Sequence, residues 1–220
     1  MSVRAPGPRL EACRPAADCG PGTPRVHWLD TRLRAAGTPQ QRRQHARGHA
    51  RAALGARLAQ ALGCDAQDLW VTDERGQAPT VGWCGSGSAP AALARIGLSI
   101  SHAPGVSLVA WHPGGAVGVD LQPLPLGAGL PELLDAAALY LPPGSAAALG
   151  RQAPGARAIE AFAECWAAHE ARLKCAGRAL AEWSPALAAA LAGVRAVPLR
   201  LPQRLAAGHA AAVAWRGPPP

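Results

Sequence analysis

The stretch "LSISHAPGVSLVAWHPGGAVGVDLQ", residues 98–122, decides the reading of this chain. Runs of β-forming residues alternate in it with His-Ala-Pro-Gly and His-Pro-Gly-Gly turns, which predicts a three-stranded antiparallel meander. In the last run a period of two sets Val117, Val119 and Leu121 on one face and Gly118, Asp120 and Gln122 on the other. An acid therefore sits among apolar and small residues.

Toward the N-terminus, "VHWLD" (26–30) reads as a short strand. The run "TPQQRRQHARGHARAALGARLAQALG" (38–63) opens with Thr38 as N-cap, Pro39 at the first helical position and Gln41 three residues after the cap, and it closes at Gly63. Those signals predict a helix. Its stripe is Leu54, Leu58, Ala61 and Leu62, while Arg42, Arg43, Arg47, Arg51 and Arg57 decorate the rest, as a solvated face or as a phosphate-binding one. Residues 1–24, rich in Pro and Gly and without a period, read as a disordered lead-in.

Toward the C-terminus, a helix near 130–140 is followed by an "LPPG" break and a loop to about 157. The next helix runs from near Ala158 to Gly177 and holds "FAECWAAHEARLKCAGRAL" (162–180). "SPALAAALAG" adds a short helix starting at Ser184 and Pro185, and strands at about 194–201 and 210–215 precede a Pro-rich tail. "SHAPGVSLVAW" (101–111) and "GHAAAVAW" (208–215) share a histidine and a strand ending Val-Ala-Trp. This echo fits two similar α+β halves.

At 220 residues, 49% hydrophobic and 16% charged, the chain can bury one sizeable core or two small ones, as a soluble globular protein does. Its formal charge of +8 is carried almost wholly by arginine, because Lys174 is the single lysine. A basic surface suits nucleic acid, an anionic small molecule or an acidic protein. Cys13, Cys19, Cys64, Cys84, Cys165 and Cys175 form no CxxC pair and no zinc spacing, so they read as reduced thiols of a cytoplasmic protein. The N-terminus lacks a continuous apolar h-region and no segment approaches about 18 uninterrupted apolar residues. Neither export nor a membrane partner is expected.

With Trp166 at zero on a helical wheel, Ile159 falls at about +20°, Phe162 at about −40° and Leu173 at about −20°, which defines the expected buried stripe. Glu170 at about +40° and Lys174 at about +80° share its shoulder, so Glu170 should be only partly solvated. Read alone, they are an i,i+4 ion pair worth about 0.2–0.5 kcal/mol. Asp120, read alone, is an acid at a strand end near a turn.

Together they say more. "SISHAPG", "GVDLQ" and, some tens of residues later, "WAAHEARLK" stand in the order and spacing of the histidine turn, the Gly-x-Asp strand and the Trp-x-x-Lys-Glu-x-x-x-Lys helix of Sfp-type 4′-phosphopantetheinyl transferases. The chain resembles that family. "RRQHARGHARAAL" and the "DERGQAPTV" hairpin, which is similar to the family's Gly-Lys-Pro stretch, extend the resemblance over most of residues 25–215.

The resemblance implies an α+β fold of two pseudo-repeated halves, each a small antiparallel sheet packed on helices. The N-terminal half would span 25–116 and the C-terminal half 117–216, the latter carrying the metal and catalytic motifs, with a tail at 217–220. The implied reaction moves the phosphopantetheine arm of coenzyme A onto a serine of an apo carrier protein and releases 3′,5′-ADP. Mg²⁺, or Mn²⁺ in its place, would grip the pyrophosphate. A hard cation of this kind wants carboxylate oxygens and keeps waters and phosphate oxygens besides.

By the same resemblance, Asp120 and Glu170 would supply those carboxylates. Gln122, standing where many members carry Glu, would bind more weakly through its carbonyl or through a water. Glu170 would also act as general base, directly or through a metal-bound water, and Lys174 would meet the phosphate charge. Ser101 and His102 would bind the coenzyme's phosphates. Arg42, Arg43, Arg47 and Arg51 suit its 3′-phosphate and diphosphate. His169, in place of a family Lys, would bind coenzyme A best when protonated, and so more tightly at mildly acid pH.

The expected partner is an acidic acyl or peptidyl carrier protein, complementary to the basic surface, with the chain acting as a monomer. One alternative is a degenerate relative that binds coenzyme A or a carrier without turnover, given Gln122, His169 and Gln77. Another is a basic nucleic-acid-binding protein using the arginine helix. With one Tyr and one Phe and no recognised motif, the chain gives no reason to expect nucleic acid.

Overall fold

The computed structural model describes residues 10–15, 22–31, 38–72, 74 and 77–216. In chain order the elements are β1 (Leu10–Pro15), β2 (Arg25–Asp30), α1 (Pro39–Leu62), β3 (Leu69–Val71), β4 (Val81–Trp83), β5 (Gly97–Ala103), β6 (Val106–His112), β7 (Val117–Pro123), α2 (Leu130–Tyr140), α3 (Pro143–Gly150), α4 (Ala156–Cys175), α5 (Pro185–Ala190), β8 (Val194–Arg200), α6 (Gln203–Ala206) and β9 (His209–Arg216). β3 and β4 pair with each other, and the other seven strands form one sheet in the order β5-β6-β2-β1-β8-β9-β7. Every pairing in it is antiparallel. The fold is thus mixed α and β on antiparallel sheets. No helix among the described residues is long and apolar enough to cross a membrane.

Helix α1 starts and stops where its caps dictate. Thr38 Oγ1 accepts the Gln41 N–H, the Gln41 side chain accepts the Thr38 N–H, and Gly63 ends the helix at φ 69°. Leu54 and Leu58 seat α1 on Leu29, Val109 and Trp111 of the sheet. On α5, Ser184 Oγ accepts the Leu187 N–H, as its position before Pro185 predicts.

Four expectations need correction. The meander is a hairpin of β5 and β6 only, and β7 pairs with β9 instead. Gly115, at φ 127°, carries the chain across the start of β5, and Gly97 lacks the Cβ that would overlap the Gly115 carbonyl there. The expected lead-in at 1–24 contains β1, which bridges β2 and β8; residues 1–9 and 16–21, and the tail at 217–220, lie outside the described residues. The expected loop before residue 157 contains α3, started by Pro143 at its first position. Finally, the buried stripe of α4 is not centred on Trp166.

Small residues decide that last point. Ala167, Ala171 and Cys175 pack on Val194, Ala212 and Ala214 of the sheet. Phe162, Ile159 and Trp166 turn sideways to Leu133 and Ala137 of α2, Leu141 at its end and Leu149 of α3. A wheel weighted by bulk finds the second contact and misses the first. The alternation in β7 is as expected: Val117, Val119 and Leu121 enter the interior with Val26, Trp28, Leu108 and Val213. Gly118 and Asp120 therefore face α4.

A Cβ at Gly118 would overlap the Ala171 carbonyl, so glycine sets how near α4 can lie. Gly118→Ala is expected to cost about 3 kcal/mol, toward the top of the range for overpacking, read as a lower urea midpoint. An unchanged midpoint would mean that α4 does not sit this close.

His27 stacks on Trp111 with ring centroids 5.1 Å apart and 4° between planes. Burial, then the charges of Arg57 and Arg25, pushes its pKa from 6.5 down to about 4. Below 6.5 the unfolded chain takes up a proton that the folded imidazole refuses, so stability is level above that pH and falls from there toward 4. His27→Phe, which keeps a ring on Trp111, should show a shallower fall in melting temperature across this window; an unaltered slope would remove His27 from the acid response.

Candidate active site

A cleft of about 870 Å³ opens between α1 and α4 over the ends of β5 and β7. Arg42, Arg43 and Arg47 line it from α1, Ser101 and His102 from β5, Asp120 and Gln122 from β7, and Glu170 and Lys174 from α4. These are nine of the residues singled out in the sequence. The fold makes the meeting because β5 and β7, at opposite ends of the sheet order, come side by side without a backbone ladder. Ser99 Oγ accepts the Val119 N–H at 2.9 Å and Ser101 Oγ accepts the Leu121 N–H at 3.1 Å.

Asp120 is buried, its side chain 9% exposed. A buried carboxylate needs partners. Lys174 Nζ reaches its Oδ1 at 2.7 Å, and Ser101 Oγ donates to the same oxygen at 2.9 Å. Lys174 Nζ also donates to Ser101 Oγ at 3.3 Å and to the Val119 carbonyl at 3.2 Å. Glu170, half-buried, has no hydrogen-bond partner for its carboxylate among the described residues. Desolvation, then the charge of Asp120, raises its pKa, with Lys174 opposing.

His102 Nδ1 lies 2.7 Å from Ser107 Oγ, which in turn donates to Thr31 Oγ1 at 3.5 Å. Desolvation against the strand wall, then the charges of Arg47, Lys174 and Arg51, pushes this imidazole down to about 4, although the residue is exposed on its cleft side. Arg51 does not line the cleft and acts on it through this charge. Gln122 Nε2 donates to the Pro123 carbonyl at 3.1 Å.

His169 is not in the cleft. It is 2% exposed, its ring 6.0 Å from that of Trp183, and its Nδ1 and Nε2 have no partner among the described residues. Burial, then the charge of Arg172, holds it down at about 4. The expected cationic contact from His169, with tighter binding at mildly acid pH, is therefore withdrawn. The signal was available, since His169 lies four residues before Leu173 and seven after Phe162, on their side of the helix. Sequence reasoning also passed over Ser99, Ser107 and Thr31; the Ser-x-Ser alternation of "LSIS" was the readable sign of the first. Gln77 is exposed, and Asp73, Arg75 and Gly76 of the expected hairpin stretch lie outside the described residues.

Chemically, the cleft sets arginines along one wall against a carboxylate pair and a lysine on the other. Asp120 and Glu170, with the Gln122 amide, are the oxygen donors it offers a hard cation. No group of three or more His, Cys, Asp or Glu gathers at one point among the described residues. No family model matches the chain, and no curated protein matches it.

Removing one member of the Asp120–Lys174 pair leaves the other partly buried and uncompensated. A double-mutant cycle with Asp120→Asn and Lys174→Met, read by urea unfolding, is expected to give a coupling of about 1–3 kcal/mol. Strictly additive losses would show that the pair is not formed in solution.

Proposed function

We propose that this chain transfers the 4′-phosphopantetheine moiety of coenzyme A to a serine of an apo carrier protein, with Mg²⁺ required. The observation that carries the reading is the single cleft in which Asp120, Gln122, Glu170 and Lys174 face Arg42, Arg43 and Arg47. An arginine wall suits the phosphates of the coenzyme. The carboxylate pair suits a cation between those phosphates and the protein.

The donor set fits magnesium. Its ligands are hard oxygens, and the charge of Asp120 raises the pKa of nearby Glu170, a repulsion that a divalent ion held by these two residues would relieve. When bound, the ion would neutralise pyrophosphate charge and polarise the phosphorus under attack. Glu170, biased toward proton uptake, takes the proton of the carrier serine. The serine oxygen forms its bond to the phosphorus that bears the pantetheine arm, and the bond from that phosphorus to the bridging oxygen breaks. The electron pair leaves with 3′,5′-ADP. Lys174, at the edge of the carboxylates, meets the charge on the phosphates during that exchange.

A fold of two pseudo-repeated halves accompanies this reading. Its support is topological: the triplets β5-β6-β2 and β8-β9-β7 have the same chain-order pattern within the sheet. Their registers agree as well. The first residue of β2, Arg25, pairs with Trp111, and the first of β7, Val117, pairs with Trp215. The Val-Ala-Trp echo thus falls at equivalent points of β6 and β9. The charge of +8 supports an acidic carrier as partner, through faster encounter.

Intact-mass analysis of an apo acyl carrier protein incubated with the chain, coenzyme A and Mg²⁺ tests the proposal. A phosphopantetheine-sized gain is expected, at least about 100-fold slower with Glu170→Gln, the loss typical of a missing general base. No gain with several carriers would overturn it and leave a coenzyme-binding relative without turnover.

A further inference from the structure

We propose that Ser101 is a positioning residue, whose hydroxyl fixes Asp120 and Lys174 in one arrangement and does not itself touch the coenzyme. Only the activity arm of its test rests on the transferase reading. A serine hydroxyl has one proton to give and two lone pairs to accept with. Ser101 uses all three: it donates to Asp120 Oδ1 at 2.9 Å and accepts from the Leu121 N–H at 3.1 Å and from Lys174 Nζ at 3.3 Å. The residue is buried, 5% exposed, and its hydroxyl has no capacity left for a phosphate. The expected direct contact between Ser101 and the coenzyme gives way to this role.

The arrangement has a fixed point. Leu121 N–H belongs to the β7 backbone, which is tied to β9, so the bond it donates anchors the Ser101 oxygen and turns its proton toward Asp120. Lys174, arriving from α4, then finds Asp120 Oδ1, Ser101 Oγ and the Val119 carbonyl within 3.3 Å. One oxygen therefore registers β5, β7 and α4 against each other.

Ser99 supplies the comparison. It stands two residues earlier on the same face of β5 and accepts the Val119 N–H at 2.9 Å, with no bond to Asp120 or Lys174 among the described residues. Loss of its hydroxyl removes a stitch between strands. Loss of the Ser101 hydroxyl removes a stitch and also the orientation of two site residues, as with the outer partners that orient metal ligands.

Lys174 is the single lysine, so ¹⁵N-lysine labelling gives one side-chain ammonium signal to follow. A slowly exchanging Lys174 signal is expected in the unaltered protein and in Ser99→Ala. It should broaden or move to the position of free lysine in Ser101→Ala and return in Ser101→Thr, which keeps the oxygen. In the transfer assay Ser101→Ala should lower kcat about 10- to 100-fold with KM for coenzyme A within about twofold, while Ser99→Ala leaves both within about twofold. An unchanged Lys174 signal in folded Ser101→Ala overturns the proposal. So does a raised KM with kcat intact, which a direct contact with coenzyme would give. If Ser101→Ala does not fold, Ser101→Thr against Ser101→Val isolates the hydroxyl at equal shape. Should the unaltered protein transfer nothing, the transferase reading fails and the ammonium signal still decides the positioning role.

Discussion

The arrangement of the cleft depends on how closely α4 lies on β7. Gly118 has no side chain where a Cβ would overlap the Ala171 carbonyl, and α4 presents Ala167 and Ala171 to the sheet rather than its bulky residues. Lys174 is three residues past Ala171, and Asp120 two past Gly118. The contact of glycine with helix backbone therefore fixes the distance across which the lysine meets the acid. A larger residue at 118 would lift Glu170 and Lys174 together, although Gly118 takes no part in their chemistry.

From that constraint follows an asymmetry between two carboxylates. Asp120 is buried and engaged by a cation and a hydroxyl, which offsets the cost of removing it from water. Glu170 is half-buried and bonded to neither, and both burial and Asp120 push it toward the protonated form. Pairs of acids whose environments differ in this way divide labour between a fixed charge and a proton acceptor. On the proposed reading Asp120 is the fixed charge and Glu170 the acceptor. The same constraint accounts for the placement of Glu170 and Lys174 beside the packed face of α4 in a chain with few charges, since that face of α4 comes near Asp120.

Local signals were legible and long-range ones were not. The caps of α1, the Ser184 cap, the parity of β7 and the β5–β6 hairpin follow from residues a few positions apart, and the structure has them as read. The departure of β7 from β6 follows from a left-handed glycine and an overlap with Gly97, which only the folded chain brings together. Strand β1 was hidden because its neighbours in sequence are Pro and Gly while its partners, β2 and β8, lie far apart along the chain. In the site, nine of the residues named from the sequence line one cleft, while Arg51 and His169 do not. At His169 a motif position outweighed the apolar periodicity of Phe162 and Leu173 that turns this side chain into the core.

Gln122 completes the argument about charge. Lys174 offsets one of the two carboxylates, so the β7–α4 side of the cleft keeps a single uncompensated acid, and an acid at position 122 would have added another. More negative charge binds a divalent cation more tightly, and it also repels the phosphates that the cation must share. The amide shifts this balance toward the anion, in keeping with a wall of arginines opposite and a neutral His102 held by Ser107. On the proposed reading, coenzyme phosphate would be gripped mainly by α1 and the cation by two acids and their bound waters. Ser101 would then matter more here than beside a third carboxylate, because the orientation of Asp120 has no second strand acid to compensate for its loss.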